Sequence, residues 1–399
     1  MSSYMLAACG ASHYIRCRRM KVIHVLPGLN RERGGPPTSV PALCLALKNA
    51  GVDVAIHTLD WETGVREFSF PVTCHPFWRF PRRLGVSPAM RRGLAIESQT
   101  ADLVHNHGIW MMPAIYAERA ARLAKVPFVL APRGMLAPPA VAYSRVKKWI
   151  MWFLLQRSSL LRASCLHATS DLERQDLRRL GFRMPIAVIP NGVEPASRSV
   201  QRAVVTTRKR VLSLGRLDKK KGLENLLRAW NLVEADAPDW ELVICGPGPT
   251  RYLESLRSLS RRLMNVRVEF LDARYGEEKT DVFASANVFV LPSFDENFGM
   301  VVGEALAHGL PVITTKRTPW RWLEETRVGW WIDIGVPPLA DALRSALSTS
   351  ADDLRAMGER GRDFVARHYS WSSVGEKMRK TYEWLLGGGS APSWVETGA

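Results

Sequence analysis

Short apolar runs alternate with longer stretches of three-to-four-residue period from Lys21 onward. KVIHVL (21–26), VDVAIHT (52–58), DLVH (102–105), PFVLA (127–131), LHAT (166–169) and IAVIP (186–190) read as buried strands, being short, rich in β-branched residues and bounded by turn formers. Residues 113–124 and 170–180 carry a helical period between them. Strands alternating with helices predict βα units and parallel sheets. In PNGVEPASRSVQ (190–201) the pattern turns polar and aperiodic, which predicts a linker. The alternation restarts with RVLSLG (210–215), ELVICG (241–246), VRVEFL (266–271), NVFVLP (287–292) and PVITT (311–315). In the tail, Trp371, Val374, Met378, Tyr382 and Leu385 repeat at three and four residues, predicting a terminal helix with one docking face and a glycine stop.

Two βα domains in succession also fit the length. At 399 residues the chain exceeds the size at which one core stops growing. Facing sheets of this kind place a cleft at the carboxyl ends of their strands, where open α/β sheets bind ligands.

Charge narrows the partners. Lys and Arg number 55 against 38 Asp and Glu, a net charge of +17, which points to nucleic acid, a phospholipid surface or phosphorylated substrates. The six cysteines are scattered, without Cys-x-x-Cys pairs or metal-ligand spacing, so free thiols in a reducing cytosol are expected. The apolar run 149–155 is too short to span a bilayer. LAAC, ending at Cys9, resembles a lipoprotein cleavage box but has no basic segment before it, and residues 1–19 are expected to be a disordered extension.

Four stretches carry candidate chemistry. LGRLDKKKGLENLLRAW follows a strand and opens a helix, which puts Arg216 and Lys221 at the strand end and helix start, where a diphosphate would meet guanidinium, ammonium and the positive helix terminus. A solvated basic run is the plainer reading of the lysines. Gly34 and Gly35, after the first strand, allow backbone to approach a ligand, although a plain strand-to-helix loop looks the same. DLVHNHGIW is expected to end its strand near His105 and to offer His107 to the cleft. SFDENFGMVVGEALAHGLPVITT is expected to place Glu296 in a cleft loop, the amides of Asn297, Phe298, Gly299 and Met300 at a helix start, and Glu304 within that helix. No Asp-x-Asp occurs, so phosphate neutralisation falls to Arg and Lys.

Together, Glu296 and Glu304 around NFG, Arg216 with Lys221, and His107 resemble the retaining glycosyltransferases of the GT4 family, over nearly all of the chain from Met20 to about Leu386. HNHGIWMMPA, APRGMLAPPAV, LHATSDLERQDLRRLG, VIPNGVE, TPWRWLEE and GWW are similar to a bacterial subgroup linked to exopolysaccharide, lipopolysaccharide or capsule assembly. The resemblance implies the α/β GT-B fold: Rossmann-like domains at 20–195 and 196–370, facing across a cleft, with helix 371–386 docking back on the first. It implies that Arg216 and Lys221 neutralise a UDP- or GDP-linked donor's diphosphate beside Gly34 and Gly35. It assigns the sugar hydroxyls to Glu296 and the 297–299 amides, the ribose to Glu304, and a sugar contact from the other domain to His107. It implies a hexosyltransferase without metal or other cofactor, acting on a glycan or lipid-linked acceptor in the cytoplasm. The subgroup has glycine where this chain has Asp272, near the base, and an acidic residue, Pro and Trp where it has Ala137, Pro138 and Pro139.

YSRVKKWIMWFLLQRSSLLR (143–162) and HPFWRFPRRLG (75–85) mix arginines with aromatic residues and offer surfaces to an anionic membrane or acceptor. For the first, a core helix between two strands with a basic solvated edge is the favoured reading, because the apolar block is short for an interfacial anchor. No nucleic-acid-binding motif accompanies either, and no nucleic acid partner is expected. A nucleotide-sugar epimerase or glycoside phosphorylase on the same fold is the alternative function. A non-enzymatic basic binding protein, for membrane or nucleic acid, is the more remote one.

Overall fold

The structure is a computed structural model and describes residues 19–30, 35–61, 67–137, 152, 156–196, 208–263 and 267–398. Gly34, most of 143–162 and the linker 197–207 lie outside the described residues.

The first half runs β1 (Lys21–Leu26), α1 (Pro36–Asn49), β2 (Asp53–Leu59), β3 (Val72–His75), α2 (Pro88–Glu97), β4 (Leu103–His107), α3 (Met112–Ala124), β5 (Phe128–Ala131), α4 (Arg157–Leu161), β6 (Cys165–Ala168), α5 (Asp171–Arg179) and β7 (Ile186–Val188). The second runs β8 (Lys209–Leu214), α6 (Leu223–Asn231), β9 (Trp240–Cys245), α7 (Thr250–Arg262), β10 (Val268–Leu271), α8 (Gly276–Ala284), β11 (Val288–Leu291), α9 (Met300–Ala307), β12 (Val312–Thr315), α10 (Trp322–Glu325), β13 (Gly329–Ile332), α11 (Val336–Ser348) and α12 (Ala351–His368). α13 (Trp371–Leu385) and β14 (Val395–Glu396) close the chain.

Among the described residues the first sheet has the order β14-β7-β6-β5-β4-β1-β2-β3 and the second β10-β9-β8-β11-β12-β13. Every pairing is parallel except β14 against β7. Helices cover both faces of each sheet, which is why the central strands are apolar without alternation. In the first sheet Ile23, Val104 and Leu130 pack under α3 on one face, while Val22, Leu26 and Val129 pack on the other with α1 and α13. In the second, Leu242 and Val290 face Trp230 of α6, and Phe289 and Leu291 face α9 and Trp320.

The chain crosses between the sheets twice, and the two crossings touch. Val193 and Ser370 form a parallel bridge, and a Cβ on Gly192 would lie 2.2 Å from the Trp371 ring. Beyond that point α13 lies along α1, so closely that a Cβ on Gly375 would be 2.8 Å from the Ala46 Cβ. The tail therefore completes the first domain, and Glu396 ties β14 to α5 through Arg174 and Arg178.

Three strands were not expected. β3 is an edge strand with two exposed residues, β14 has only two residues, and β13 is the GWW motif, whose partial burial hides the strand pattern. No helix of the described residues is long and apolar enough to cross a membrane.

Candidate active site

After β8 the chain turns through Gly215 and Arg216 into a 3-10 turn at Lys219–Lys221, capped by Asp218, whose Oδ1 accepts from the Lys220 amide at 2.9 Å. Gly222 ends that turn with φ 67° and starts α6. A Cβ there would lie 2.2 Å from the Pro292 carbonyl oxygen, so only glycine lets this loop meet the one after β11. The Phe294 amide donates to the Lys220 carbonyl at 2.8 Å across the same junction. The outcome is a half-buried ion pair between Lys221 Nζ and Glu296 Oε1, whose side chains are 17% and 16% exposed. Ser293 Oγ donates to the same oxygen at 3.0 Å. Oε2 has no partner among the described residues and stays open to a ligand. Arg216 is exposed and makes no hydrogen bond or ion pair with a described residue, which leaves its guanidinium free for an anion.

Gly299 adopts φ 75° and ψ 58° as N-cap of α9, in contact with Trp320. The first amides of α9 lack partners within the helix, as at any helix start. Phe298 turns its ring into the core against Trp320, at 5.1 Å between centroids, and its carbonyl accepts from Trp320 Nε1 at 2.6 Å. Its part in a site is confined to backbone. Glu304 lies farther along α9 and pairs with Lys279 of α8 at 2.7 Å. Asp272 is exposed just past the edge strand β10.

Asn297 crosses to the other domain, its Nδ2 donating to Thr169 Oγ1 at 2.6 Å. Its Cβ sits 2.7 Å from where a side chain would begin on Gly134. Gly134 is held by Glu173, whose Oε1 accepts the Gly134 amide at 2.6 Å and whose Oε2 accepts the Thr169 amide at 2.8 Å. The signal for this post was in the sequence: Ser170 and Glu173 stand at capping-box spacing, and Ser170 Oγ accepts the Glu173 amide at 3.2 Å while the Glu173 carboxylate turns instead to Gly134 and Thr169. A cavity of about 120 Å³ lies at this contact, lined by Gly134, Glu173 and Asp176 on one side and Asp295, Glu296 and Arg317 on the other. Burial raises the Asp295 carboxyl above its ordinary range, against the pull of Lys220 and Arg317.

His107 does not reach the cleft. β4 continues through it, pairing it with Ala131, and leaves it 1% exposed. Arg133, with φ 59°, lies against it and donates to His107 Nδ1 at 3.0 Å and to Asn191 Oδ1 at 2.7 Å. Guanidinium cannot accept, so His107 carries its proton on Nε2 and donates to His24 Nδ1 at 2.9 Å. The His24 Nε2 proton is then buried without a partner. On a second branch the Ile189 carbonyl accepts from His167 Nε2 at 2.9 Å, His167 Nδ1 accepts from His105 Nε2 at 3.4 Å, and His105 Nδ1 accepts from Tyr382 Oη at 2.6 Å. Burial keeps all four rings neutral, lowering His24 and His167 to about 3 and the other two well below the usual range. Burial also lowers Arg133 to about 10.

His24, His105 and His107 bring ring nitrogens within 4.8 Å of one another, close enough to suggest a cation site. All those nitrogens except His24 Nε2 are already engaged, and a dication would stand beside the Arg133 guanidinium, which makes the trio a structural relay.

Residues 34–192 match the family described as "Glycosyl transferase 4-like domain", and residues 197–364 the family described as "Glycosyl transferases group 1". The chain belongs to the GT4 family of glycosyltransferases. The D-inositol 3-phosphate glycosyltransferase of Corynebacterium efficiens is 28% identical over 328 residues, covering 75% of this chain and 74% of the relative. The phosphatidyl-myo-inositol mannosyltransferase of Mycobacterium tuberculosis is 32% identical over 235 residues, covering 56% and 60%. Among solved structures, Anabaena HepE in complex with UDP and glucose superposes with a TM-score of 0.72 at 17% identity, covering 91% of this chain and 99% of HepE. WaaG, a glycosyltransferase involved in lipopolysaccharide biosynthesis, gives 0.66 at 18%, covering 92% and 100%. These neighbours share the GT-B arrangement of two Rossmann-like domains, and the transferase has the same architecture.

Proposed function

We propose that this transferase moves a hexose from a UDP- or GDP-linked donor to a glycan or lipid-linked acceptor in cell-surface polysaccharide assembly, in the cytoplasm and against the membrane, with retention and without a metal. The observation that carries the reading is the Lys221–Glu296 pair, with Arg216, exposed on the same β8–α6 loop, free of partners among the described residues, and the helix start of α9 at Gly299. The donor's diphosphate takes Arg216 and Lys221, which stabilise the charge that grows as the bond from the anomeric carbon to phosphate oxygen breaks. Glu296 and the 297–299 amides hold the sugar hydroxyls, and Glu304, oriented by Lys279, holds the ribose. The acceptor oxygen bonds to the anomeric carbon on the face the leaving group departs from, its proton passes to a leaving phosphate oxygen, and nucleoside diphosphate is released. His107 acts only through Arg133, as a positioning residue. The relatives named for inositol phosphate and phosphatidylinositol acceptors, and the charge of +17, support an anionic acceptor.

The test is thermal stabilisation of the purified chain by UDP, GDP, ADP and CMP in chelator, then with added metal. A native-state ligand raises the melting temperature with its affinity. The expected result is a shift with UDP or GDP in chelator that Arg216→Ala removes; no shift with any nucleotide overturns the reading. Turnover of the matching donor sugar then separates the classes. Nucleoside diphosphate released only with acceptor marks a transferase, conversion of the donor alone an epimerase, and a phosphate requirement a phosphorylase.

A further inference from the structure

We propose that Arg133 is a ligand-binding residue of the cleft, and that its guanidinium takes a substrate oxyanion: the distal phosphate of the donor or an anionic group of the acceptor. The identity of those substrates rests on the transferase reading, while the uncompensated charge stands on the structure itself. A guanidinium offers five N–H donors and stays protonated at ordinary pH. Here Nη1 and Nη2 donate once each, to Asn191 Oδ1 at 2.7 Å and to His107 Nδ1 at 3.0 Å. Both partners are neutral. Nε is sealed from solvent without a partner, and the half-buried side chain makes no ion pair with a described residue. Glu173 is the carboxylate that stabilises the charge most. Both Glu173 oxygens, however, are spent on the Gly134 amide and on the amide and hydroxyl of Thr169. A cation drawn this far out of water is costly until something brings it a counter-charge.

The place is one where a counter-charge would arrive. In the first sheet the strand order runs outward in opposite directions from β1 and β4, and the crevice outside the carboxyl ends at such a reversal is where open α/β sheets bind ligands. Arg133 follows the end of β5 and lies across those carboxyl ends, reaching His107, the last residue of β4, and Asn191 beyond β7. Its neighbour Gly134 meets Asn297, the residue after Glu296, so Arg133 stands one residue from the contact with the loop that carries Glu296.

The side chain is also aimed. Arg133 holds φ 59°, a left-handed backbone that a residue with a side chain adopts at a cost, and such strain clusters where it positions a functional group. His107 accepts from the guanidinium because its own proton goes to His24. The histidine relay and Asn191 thus orient the group with two of its five N–H donors and leave the others for the oxygens of a phosphate or carboxylate.

Dissociation constants from dose-dependent melting shifts of the full chain test this. In one arm UDP and GDP are compared with UMP and GMP. In the other, inorganic phosphate is added over saturating UDP or GDP and stands in for an anionic acceptor. If the donor supplies the oxyanion, Arg133→Gln is expected to bind the diphosphate about 10- to 100-fold more weakly than wild type, with the monophosphate unchanged. If the acceptor supplies it, the variant binds both nucleotides as wild type does and loses the second shift, given by phosphate. Arg133→Lys keeps the charge without the planar fork; it is the variant to read if Arg133→Gln does not fold, and it is expected to lose affinity in the same arm. Wild-type shifts in both arms overturn the proposal and leave Arg133 a clamp between two loops. An equal loss of mono- and diphosphate binding also overturns it, since that marks a disturbed nucleotide site. A phosphate shift that needs Arg133, without any nucleotide shift in wild type, keeps the oxyanion site and sinks the transferase reading. A nucleotide shift that needs Arg216 and ignores Arg133 in both arms does the reverse.

Discussion

Glu296 shares one carboxylate oxygen between Ser293 and Lys221, so it is more than a loop acid waiting for a sugar. Glu296→Ala leaves an ammonium, only 17% exposed, without its counter-charge. We expect a stability loss of about 1–3 kcal/mol in denaturant melts, together with a fall in turnover of at least about 100-fold. Wild-type turnover in that variant would remove Glu296 from the site. Arg216 gives the complementary case, since it is exposed and free of described partners. Arg216→Ala should change stability by no more than about 0.5 kcal/mol while kcat/KM falls about 100- to 1,000-fold. A variant that melted early, or that kept its rate, would show the guanidinium to be structural or idle.

Among the elements, α13 carries the most tertiary information, because it comes from the end of the chain and finishes the first core. Gly375→Val drives a branched side chain into α1, where even a Cβ would lie 3.0 Å from the Ala46 carbonyl carbon. A loss of about 1–3 kcal/mol is expected, and an unchanged melt would mean that α13 is not packed on α1 as described. The buried histidines between β1, β4, β6 and α13 set a pH dependence. His24 and His167 titrate near 6.5 when unfolded and about 3 when folded. Between those values the unfolded chain binds the extra protons, so stability is full above about pH 6.5 and falls as the pH drops toward 3. The slope is up to roughly 1.4 kcal/mol per pH unit for each buried ring. His167→Asn should flatten melting temperature against pH across that window, and an unaltered slope would show that this ring is not kept neutral by the fold.

For the whole molecule, the point of interest is where the two domains touch. The cavity of about 120 Å³ at Asn297 is smaller than the roughly 300–1,000 Å³ of small-molecule sites, so donor binding is expected to involve a hinge at the paired crossings near Val193 and Ser370. Asn297→Ala removes the bond to Thr169. Small-angle scattering should then show a larger radius of gyration for the free protein, and kcat should fall more than nucleotide affinity. An unchanged radius and rate would show the contact to be incidental to closure.

Much of this was legible in the chain. Parallel strands buried on both faces must be apolar throughout, and β1, β4, β5, β8, β9 and β11 were found for that reason. The strand-to-helix turns after β8 and β11 likewise marked where Lys221 and Glu296 would stand, and the structure puts Gly222 and Gly299 at the helix starts there. An edge strand such as β3 escapes that rule because solvent satisfies one side of it. His107 was misplaced because a histidine after an apolar run looks the same whether the strand stops or continues, and only the pairing with β5 decides. Burial of Phe298, the Lys221–Glu296 and Lys279–Glu304 pairs, and the Asn297–Thr169 bond depend on segments far apart in sequence. Local pattern fixes which way a segment turns, whereas the partner of a charge is set by the packing of two sheets and the helix that returns between them.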